Sequence, residues 1–540
     1  MAVTEEGEFF FEERDLSGGI RQDLPPSKSR YRLLKNVHLL RKGVLTKRKG
    51  TKLISNTDIT GTPELLSGFD AHYANDNQKV VLAAGSDAWI YNNTTKVFDA
   101  QSLSLTAGNT SMMMFGDELL LNNGTNFKQL NATGTWADAG GSPPIGTLLA
   151  PHANRAIVSG RSTTPHEFYY SAVRDSDSWD ITNDKIGVGG LSGEAIKGLG
   201  TLGRWLLVGT EQNTWVYLQS TTNPGDWDFI NLSETVGVVS HKSVFEVASK
   251  QVRMTLFWGL DGPMVAYQMG DEIGLKPLWN PIYQMVDGVS DTPLDGLNTG
   301  RFNQISGGFN AELNQACFGC PKTGLAENSA VLAYDLDSLV EYVTGQRDQP
   351  FVTVNDNGNS AVYPCDILMQ VRVDDSTLLP SATGRNRMYG GRQGQLLRHE
   401  APNTFKDDGD TPIPLWVVRD GFNGEEDGVA GFEKVAQKGR VEATQNGGFE
   451  VMLLVSADGD EESESQPLSL DGNLGLWGDG DNWTTDPALG KWNAATVKKA
   501  RGDYGVHGVN FKMQVADYGS IANTFEMFEL SLDGFIYERQ

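Results

Sequence analysis

Cys317-Phe318-Gly319-Cys320 is the only cysteine pair at the two-residue spacing that redox and zinc sites use, a spacing that lets two thiolates meet one another or one ion. No second such pair and no HxxxH completes a ligand set. The four residues also fall in a run that reads as a strand rather than at a helix start, so both thiols read as incidental. The seven histidines, His38, His72, His152, His166, His241, His399 and His507, are scattered singly, with no HExxH and no near pair at metal spacing. Each reads as a surface residue or one satisfied inside the fold. The run Gly187-Val188-Gly189-Gly190-Leu191-Ser192-Gly193 is glycine-rich like a phosphate-cradling loop, but it lacks the Lys-Ser/Thr pair and the strand-to-helix setting that aims amides at phosphate. It reads as a connection between sheets.

Acidic and aromatic residues stand together at Asp226-Trp227-Asp228, at Asp481-Asn482-Trp483 and in the turn Gly478-Asp479-Gly480-Asp481. A carbohydrate-active enzyme would need two carboxylates ~5 to ~9.5 Å apart across a glycosidic bond. Among 69 acidic residues no pair can be singled out, and the repeated Ser-x-Asp-x-Gly-x-Thr-Trp boxes of sialidase-type propellers are missing. Asp407-Asp408-Gly409-Asp410 and the stretch Asp458 to Glu464 offer hard oxygen ligands without EF-hand spacing, and read as solvated turns. No catalytic residue, cofactor or metal site is expected.

The elements behind these residues are short. One phrase recurs: an apolar strand, a turn of Gly, Asp or Asn, then a second apolar strand. It opens with Val80–Ala84 and Ala88–Tyr91, returns as Met112–Phe115 with Glu118–Leu121, and is last seen as Met388–Gly391 with Gln395–Leu397. Copies fall about 35 to 60 residues apart, the interval of a β-propeller blade. The fold expected is mainly β: a propeller of six or seven blades over residues 56–405, with inserted loops or small protruding subdomains near 277–297 and 345–383. Stacked β-sandwiches are the alternative. From 406 to 540 longer alternating runs such as Phe449–Val455 and Gly508–Val515 predict a C-terminal antiparallel β-sandwich, split by an acidic loop.

Composition agrees with this class, since 62 Gly, 12 Trp and few Ala-Leu-Glu-Lys runs favour strands and tight turns. No run reaches the ~18 apolar residues needed to cross a bilayer, so no membrane segment is expected. The glutamate-rich start, Glu5 to Glu13, resembles neither a signal peptide nor an anchor. Three cysteines give no even disulfide framework, which suits a reducing cytoplasm.

Charge divides the chain sharply. Between Arg14 and Lys52 twelve Lys and Arg stand against Asp15 and Asp23, a net +10, which leaves −35 for the remainder of a chain whose total is −25. A body so acidic does not wrap nucleic acid, because that requires cations to replace phosphate counterions. Residues 1–55, with Gly18-Gly19, Pro25-Pro26 and Gly43, read as an extended basic docking arm, and Arg14, Gly18, Gly19, Arg21, Arg30, Arg32, Arg41, Lys42, Lys47, Arg48 and Lys49 are its candidate contact residues. The acidic loop at Asp458, Asp460, Glu461, Glu462 and Glu464 is the candidate lumen or tip element.

Leu16-Ser17-Gly18-Gly19, Leu24-Pro25-Pro26, Asn36-Val37, Gly43-Val44-Leu45 and Arg48-Lys49-Gly50, in this order, resemble the opening of tail hub or nozzle proteins of short-tailed bacteriophages, the group that includes packaged-DNA stabilisation proteins. Phe168–Asp175 with Trp179, Glu194–Leu199, Thr214–Tyr217, Gly237–Ser240 and Trp258–Gly262 continue the likeness, which covers residues 9 to 270. The resemblance implies a ring of six propeller-bearing subunits docked beneath the adaptor ring of the portal. That ring would form the channel and gate through which packaged double-stranded DNA passes without sequence-specific contact, with tail fibre, spike or needle proteins as further partners. The location implied is the virion tail, assembled in the host bacterial cytoplasm. A carbohydrate-active enzyme or lectin acting on host polysaccharide is the competing class, and a trimeric adhesin a third, though no shaft repeat is present.

Overall fold

The computed structural model describes residues 7–13, 15–22, 31–41, 43–106, 108–188, 193–249, 251–289, 295–357, 363–374, 377, 379–402, 404, 406–407, 411–422, 433–445, 450–457, 462–469, 496–508, 511–517 and 525–537. The chain separates into two compact units, one from residues 1–50, 351–359 and 401–540, the other from 51–350 and 360–400.

In the second unit the recurring apolar phrases become antiparallel hairpins. Both residues of each turn have positive φ: Ala153 and Asn154 (φ 52° and 57°) join Leu148–His152 to Arg155–Ser159, and Gln393 and Gly394 (φ 39° and 77°) join Arg385–Arg392 to Gln395–Arg398, with Asn154 and Gly394 the residues that take this region readily. Two-residue loops with both φ positive match the twist of paired strands, so the hairpins close without splaying. The hairpins build successive sheets that begin with Leu65–His72, Ser111–Phe115, Leu148–His152, Ile196–Leu202, Phe245–Ala248, Ser306–Asn310 and Ile367–Val373. Each of these first strands touches the first strand of the next sheet, and Ile367–Val373 touches Leu65–His72, so they form a closed ring. The unit is therefore propeller-like.

Its core lies between consecutive sheets. Leu66, Val81 and Ala88 of the first sheet meet Met112, Leu119 and Leu121 of the second, and Val80, Leu82 and Tyr91 meet Ile367, Val371 and Tyr389 of the last. Around the closure the ring needs small residues: a Cβ at Gly68 would lie 2.6 Å from Met369 Sδ, and one at Gly308 would lie 2.9 Å from Leu368 Cβ. The closure is made by both ends of the unit. Lys52–Leu53 is the outer strand of the last sheet, with Leu53 opposite Leu397 and the Ile54 amide donating to the Leu396 carbonyl at 3.1 Å.

Two expected insertions take a different form. Residues 277–297 carry the short helical turns Asn280–Ile282 and Tyr283–Val286. The stretch 345–383 is not one loop, because it contains Ile367–Val373, the strand that opens the closing sheet, and Val352–Asp356, which belongs to the first unit. Clustered Asp, Asn and Gly concealed both strands. Among the described residues no helix is long and apolar enough to cross a membrane.

Besides the two-stranded pair Lys406–Asp407 and Thr411–Pro412, the described residues of the first unit form two larger sheets, antiparallel but for one parallel pairing. In one, the hairpin Val37–Arg41 and Val44–Lys47 pairs through the latter with Phe525–Tyr537, followed by Glu433–Gln445 and Thr496–Gly508. Gly7–Glu13 also pairs with Phe525–Tyr537. In the other, Tyr31–Lys35 lies between Val352–Asp356, parallel, and Leu415–Phe422, antiparallel, and the order continues through Phe511–Asp517, Glu450–Ala457 and Glu462–Ser469. Val451, Leu453, Val455 and Ala457 are buried while Met452 and Leu454 are half-buried, the period-two pattern of a strand with one face inward. The two sheets meet where Tyr504 donates its hydroxyl to the Leu453 carbonyl at 2.8 Å.

Residues 31–50, expected as part of an extended arm, are thus strands of both sheets. The reason is their apolar content: Tyr31, Leu33, Leu34, Val37 and Leu45 are all at most 1 % exposed.

Candidate functional site

Asn36 is where the N-terminal segment leaves one sheet of the first unit and enters the other. It takes a left-handed backbone (φ 58°), a conformation Asn adopts more readily than most residues, and it is fully buried. Its Nδ2 donates to the Pro414 carbonyl at 2.6 Å, and its Oδ1 accepts from Arg48 Nε at 2.7 Å and from the Asp356 amide at 2.9 Å. Arg48 uses every remaining guanidinium donor. Nη1 reaches Asp407 Oδ1 at 2.8 Å and the Lys49 carbonyl at 3.1 Å, while Nη2 reaches the Asp356 carbonyl at 2.8 Å and Asp407 Oδ2. The guanidinium fork and the carboxylate match in the two-bond geometry that makes such pairs strong.

Two more cations of the segment are turned inward. Lys47 Nζ meets Asp517 Oδ2 at 2.9 Å with both side chains inaccessible, and Lys35 Nζ meets Asp356 Oδ2 at 2.9 Å. Burial pulls the Lys47 pKa down, and Asp517 opposes that shift. Gly50 completes the node: its amide donates to the Thr404 carbonyl, and a Cβ there would collide with the Lys406 carbonyl.

The structure therefore corrects the expectation that Lys47 and Arg48 face a partner. They are held inside the unit because Asp407 and Asp517, supplied from hundreds of residues away, neutralise them there. Gly18 lies in a turn that leads into Gly19, which has φ 75° and its Cα side closed off by the backbone of Phe351 and Val352. Of the other expected contact residues, Arg32 is exposed, and Arg21 and Lys49 are half-buried. Arg41 ends a strand. Arg14, Arg30 and Lys42 lie outside the described residues, as do Asp458, Asp460 and Glu461. Glu462 and Glu464 are not in a loop but in the strand Glu462–Ser469, where Glu464 accepts from the Gly505 amide at 3.0 Å.

The second unit holds a site with no signal in the sequence. The turn His241–Ser243 precedes the fifth sheet, and His241 reaches across the ring from it. The Leu199 amide donates to His241 Nδ1 at 3.3 Å, so Nε2 carries the proton and donates to Ser111 Oγ at 3.1 Å. Ser111 Oγ also accepts from the Leu149 amide at 3.2 Å, and Ser240 Oγ donates to the Ile305 carbonyl at 2.7 Å. His241 thus joins the second and fourth sheets, and Ser111 links the third to them. Burial pushes its pKa down to about 4, which keeps it neutral and able to accept from Leu199.

Lys242 follows it. Burial lowers its pKa, and Glu64 and Asp366 oppose that shift. Asp366 is pushed up to about 7 by burial and by Glu327, against the pull of Lys242. A cavity of about 350 Å³ opens at the N-terminal ends of the first strands, lined by Arg161, Lys197, His241 and Lys242 among others.

Cys317 and Cys320 lie buried on Gln315–Pro321, Cys365 is buried too, and desolvation raises all three thiols far from the reactive thiolate range. Among the described residues no group of three or more His, Cys, Asp or Glu is placed to hold a metal ion.

No family model and no curated protein matches the chain. Solved structures similar to it include the extracellular domain of BT4673 from B. thetaiotaomicron, at 10% identity and TM-score 0.36 over 65% of this chain and 40% of that one. The N-terminal domain of Nup159 is similar at 9% identity and TM-score 0.38 over 68% and 98%. Kluyveromyces lactis Hsv2 is similar at 9% identity and TM-score 0.33 over 67% and 95%. The chain spans about two-fifths of the length of the BT4673 domain. The propeller-like assignment rests on the closed ring of strands in this molecule.

Proposed function

We propose that this chain is a structural component of a short-tailed bacteriophage tail, of the hub or nozzle type, and has no catalytic step. The observation that carries the reading is the N-terminal phrase itself, whose members Asn36, Arg48 and Gly50 build one buried node while Gly19 packs on the Phe351 backbone of the same unit. Residues that build the fold of a unit are those a family signature must keep, so the string is a folding motif of the hub rather than a chance basic run.

In this reading the second unit is a seven-bladed propeller closed by Lys52–Leu53, and the first unit is a β-sandwich built from the N-terminal segment and residues 401–540. Six copies would carry six times −25, a wall of the same sign as DNA, which bears one charge per ~1.7 Å of duplex. Such a wall lets DNA slide without sticking. The interior of one ring of strands is crossed by His241, so the DNA path belongs between copies and not along one propeller's axis. Docking on the adaptor falls to cations of the segment that reach the surface, Arg21, Arg32 and Lys49 among them.

Size-exclusion chromatography with negative-stain imaging tests this. Six-fold rings, or binding to adaptor-bearing portals, are expected. A monomer or trimer that releases sugar from host envelope material overturns the reading.

A further inference from the structure

We propose that the cavity at the N-terminal ends of the first strands of the second unit binds a small oxyanion, a phosphate or carboxylate group, through Arg161, Lys197 and Lys242. Three cations face it, and among the described residues no Asp or Glu lines it. That runs against a chain with 69 acidic residues and 44 Lys plus Arg, where a random cavity would be lined the other way. Its volume of about 350 Å³ lies within the range of small-ligand sites.

The cations are positioned and only partly neutralised. The Arg161 guanidinium rests 4.9 Å from the Tyr169 ring centroid, a contact that orients it without a carboxylate. The Tyr169 hydroxyl is itself fixed by Glu167 at 2.6 Å and Thr164 at 2.9 Å. Lys197 pairs with Glu211 at 3.0 Å on the solvent side, where both groups are about half exposed and such a pair is weak. Lys242 has Glu64 and Asp366 as neighbours outside the lining, and Asp366, with a pKa pushed up to about 7, is only partly ionised near neutrality. His241 brings no charge, since both ring nitrogens are engaged, but it fixes the turn that carries Lys242. Asn109 and Asn303 add exposed amide donors on the rim. An anion here would gain charge-assisted hydrogen bonds at a desolvated lysine, the setting in which they are strongest.

Isothermal titration calorimetry on the full chain at low ionic strength, with inorganic phosphate and with citrate, decides it. Saturable binding is expected that weakens about tenfold or more in R161Q and in K242M, the loss of one charge-assisted bond. Arg204, which pairs with Asp271 in the open, serves as control, and R204Q should bind as the wild type does. Absence of saturable binding with either anion overturns the proposal, as does equal affinity in wild type, R161Q and K242M. Thermal melting of each variant accompanies the titrations, and R161Q remains decisive if K242M does not fold. Sedimentation with and without citrate separates the sources: dissociation of associated chains assigns the site to an acidic side chain of a second copy, and unchanged association to a free anion.

Discussion

Arg48 and Asn36 are bonded twice, Nε to Oδ1 at 2.7 Å and the Arg48 amide to the Asn36 carbonyl at 3.0 Å. The pair fixes the hairpin Val37–Lys47 at both ends and holds the guanidinium against Asp407. Replacing Arg48 by Met takes both guanidinium bonds from the buried Asp407 carboxylate, so R48M is expected to destabilise the first unit by about 3 to 5 kcal/mol. R48K should not match the wild type, because an ammonium has three donors on one nitrogen where the planar guanidinium makes five bonds. Recovery in the double variant R48M/D407L, read by chemical denaturation, would show that the charge pair shapes the node more than it stabilises it.

The ring of the second unit closes through a strand of two residues, which makes it the place to test closure. Leu53 and Leu397 face each other across that edge. In L53C/L397C the oxidised form is expected to be more stable than the reduced form of the same protein by about 2 to 4 kcal/mol. Equal melting of the two forms would mean that the edge is not formed in solution.

His241 predicts acid lability. Its folded pKa of about 4 lies below the ~6.5 of an unfolded histidine, so between these values the unfolded chain binds more protons and stability rises with pH. The contribution is complete above ~6.5 and is lost as pH falls through about 4. His152, also pushed down to about 4 by burial, acts in the same direction. Melting temperature followed across this window should slope less in H241N than in the wild type.

Asp366 works the other way. Its pKa, raised to about 7, lies above the ~3.9 of an unfolded aspartate. The folded chain therefore binds the extra proton, and this contribution is complete below ~3.9 and lost as pH rises through about 7. D366N is expected to gain stability relative to wild type at pH 8 and to lose that advantage at pH 5. The opposite ordering in paired melts would contradict it.

The β class and the hairpins were legible because they depend on neighbours. Gln393-Gly394 sits between the apolar runs Met388–Gly391 and Gln395–Leu397 and was legible as a turn, whereas Ala153-Asn154 was not, because alanine is no turn former. The node was not legible, since Arg48 and Asp407 are 359 residues apart and Lys47 and Asp517 are 470 apart. Nor was the site at His241 and Lys242: a lone histidine beside a lone lysine has no spacing to read, and only the ring brings Ser111 and Leu199 to it.

Sequence alone determined a mainly β chain with a recurring hairpin, a strong acidic excess and a basic N-terminal segment, since composition and short-range periodicity carry these. Tertiary structure decided the fate of that basic charge. A cation's role depends on which carboxylate reaches it, and the pairing of Lys35, Lys47 and Arg48 with Asp356, Asp517 and Asp407 turns a surface suited to docking into the interior of a unit.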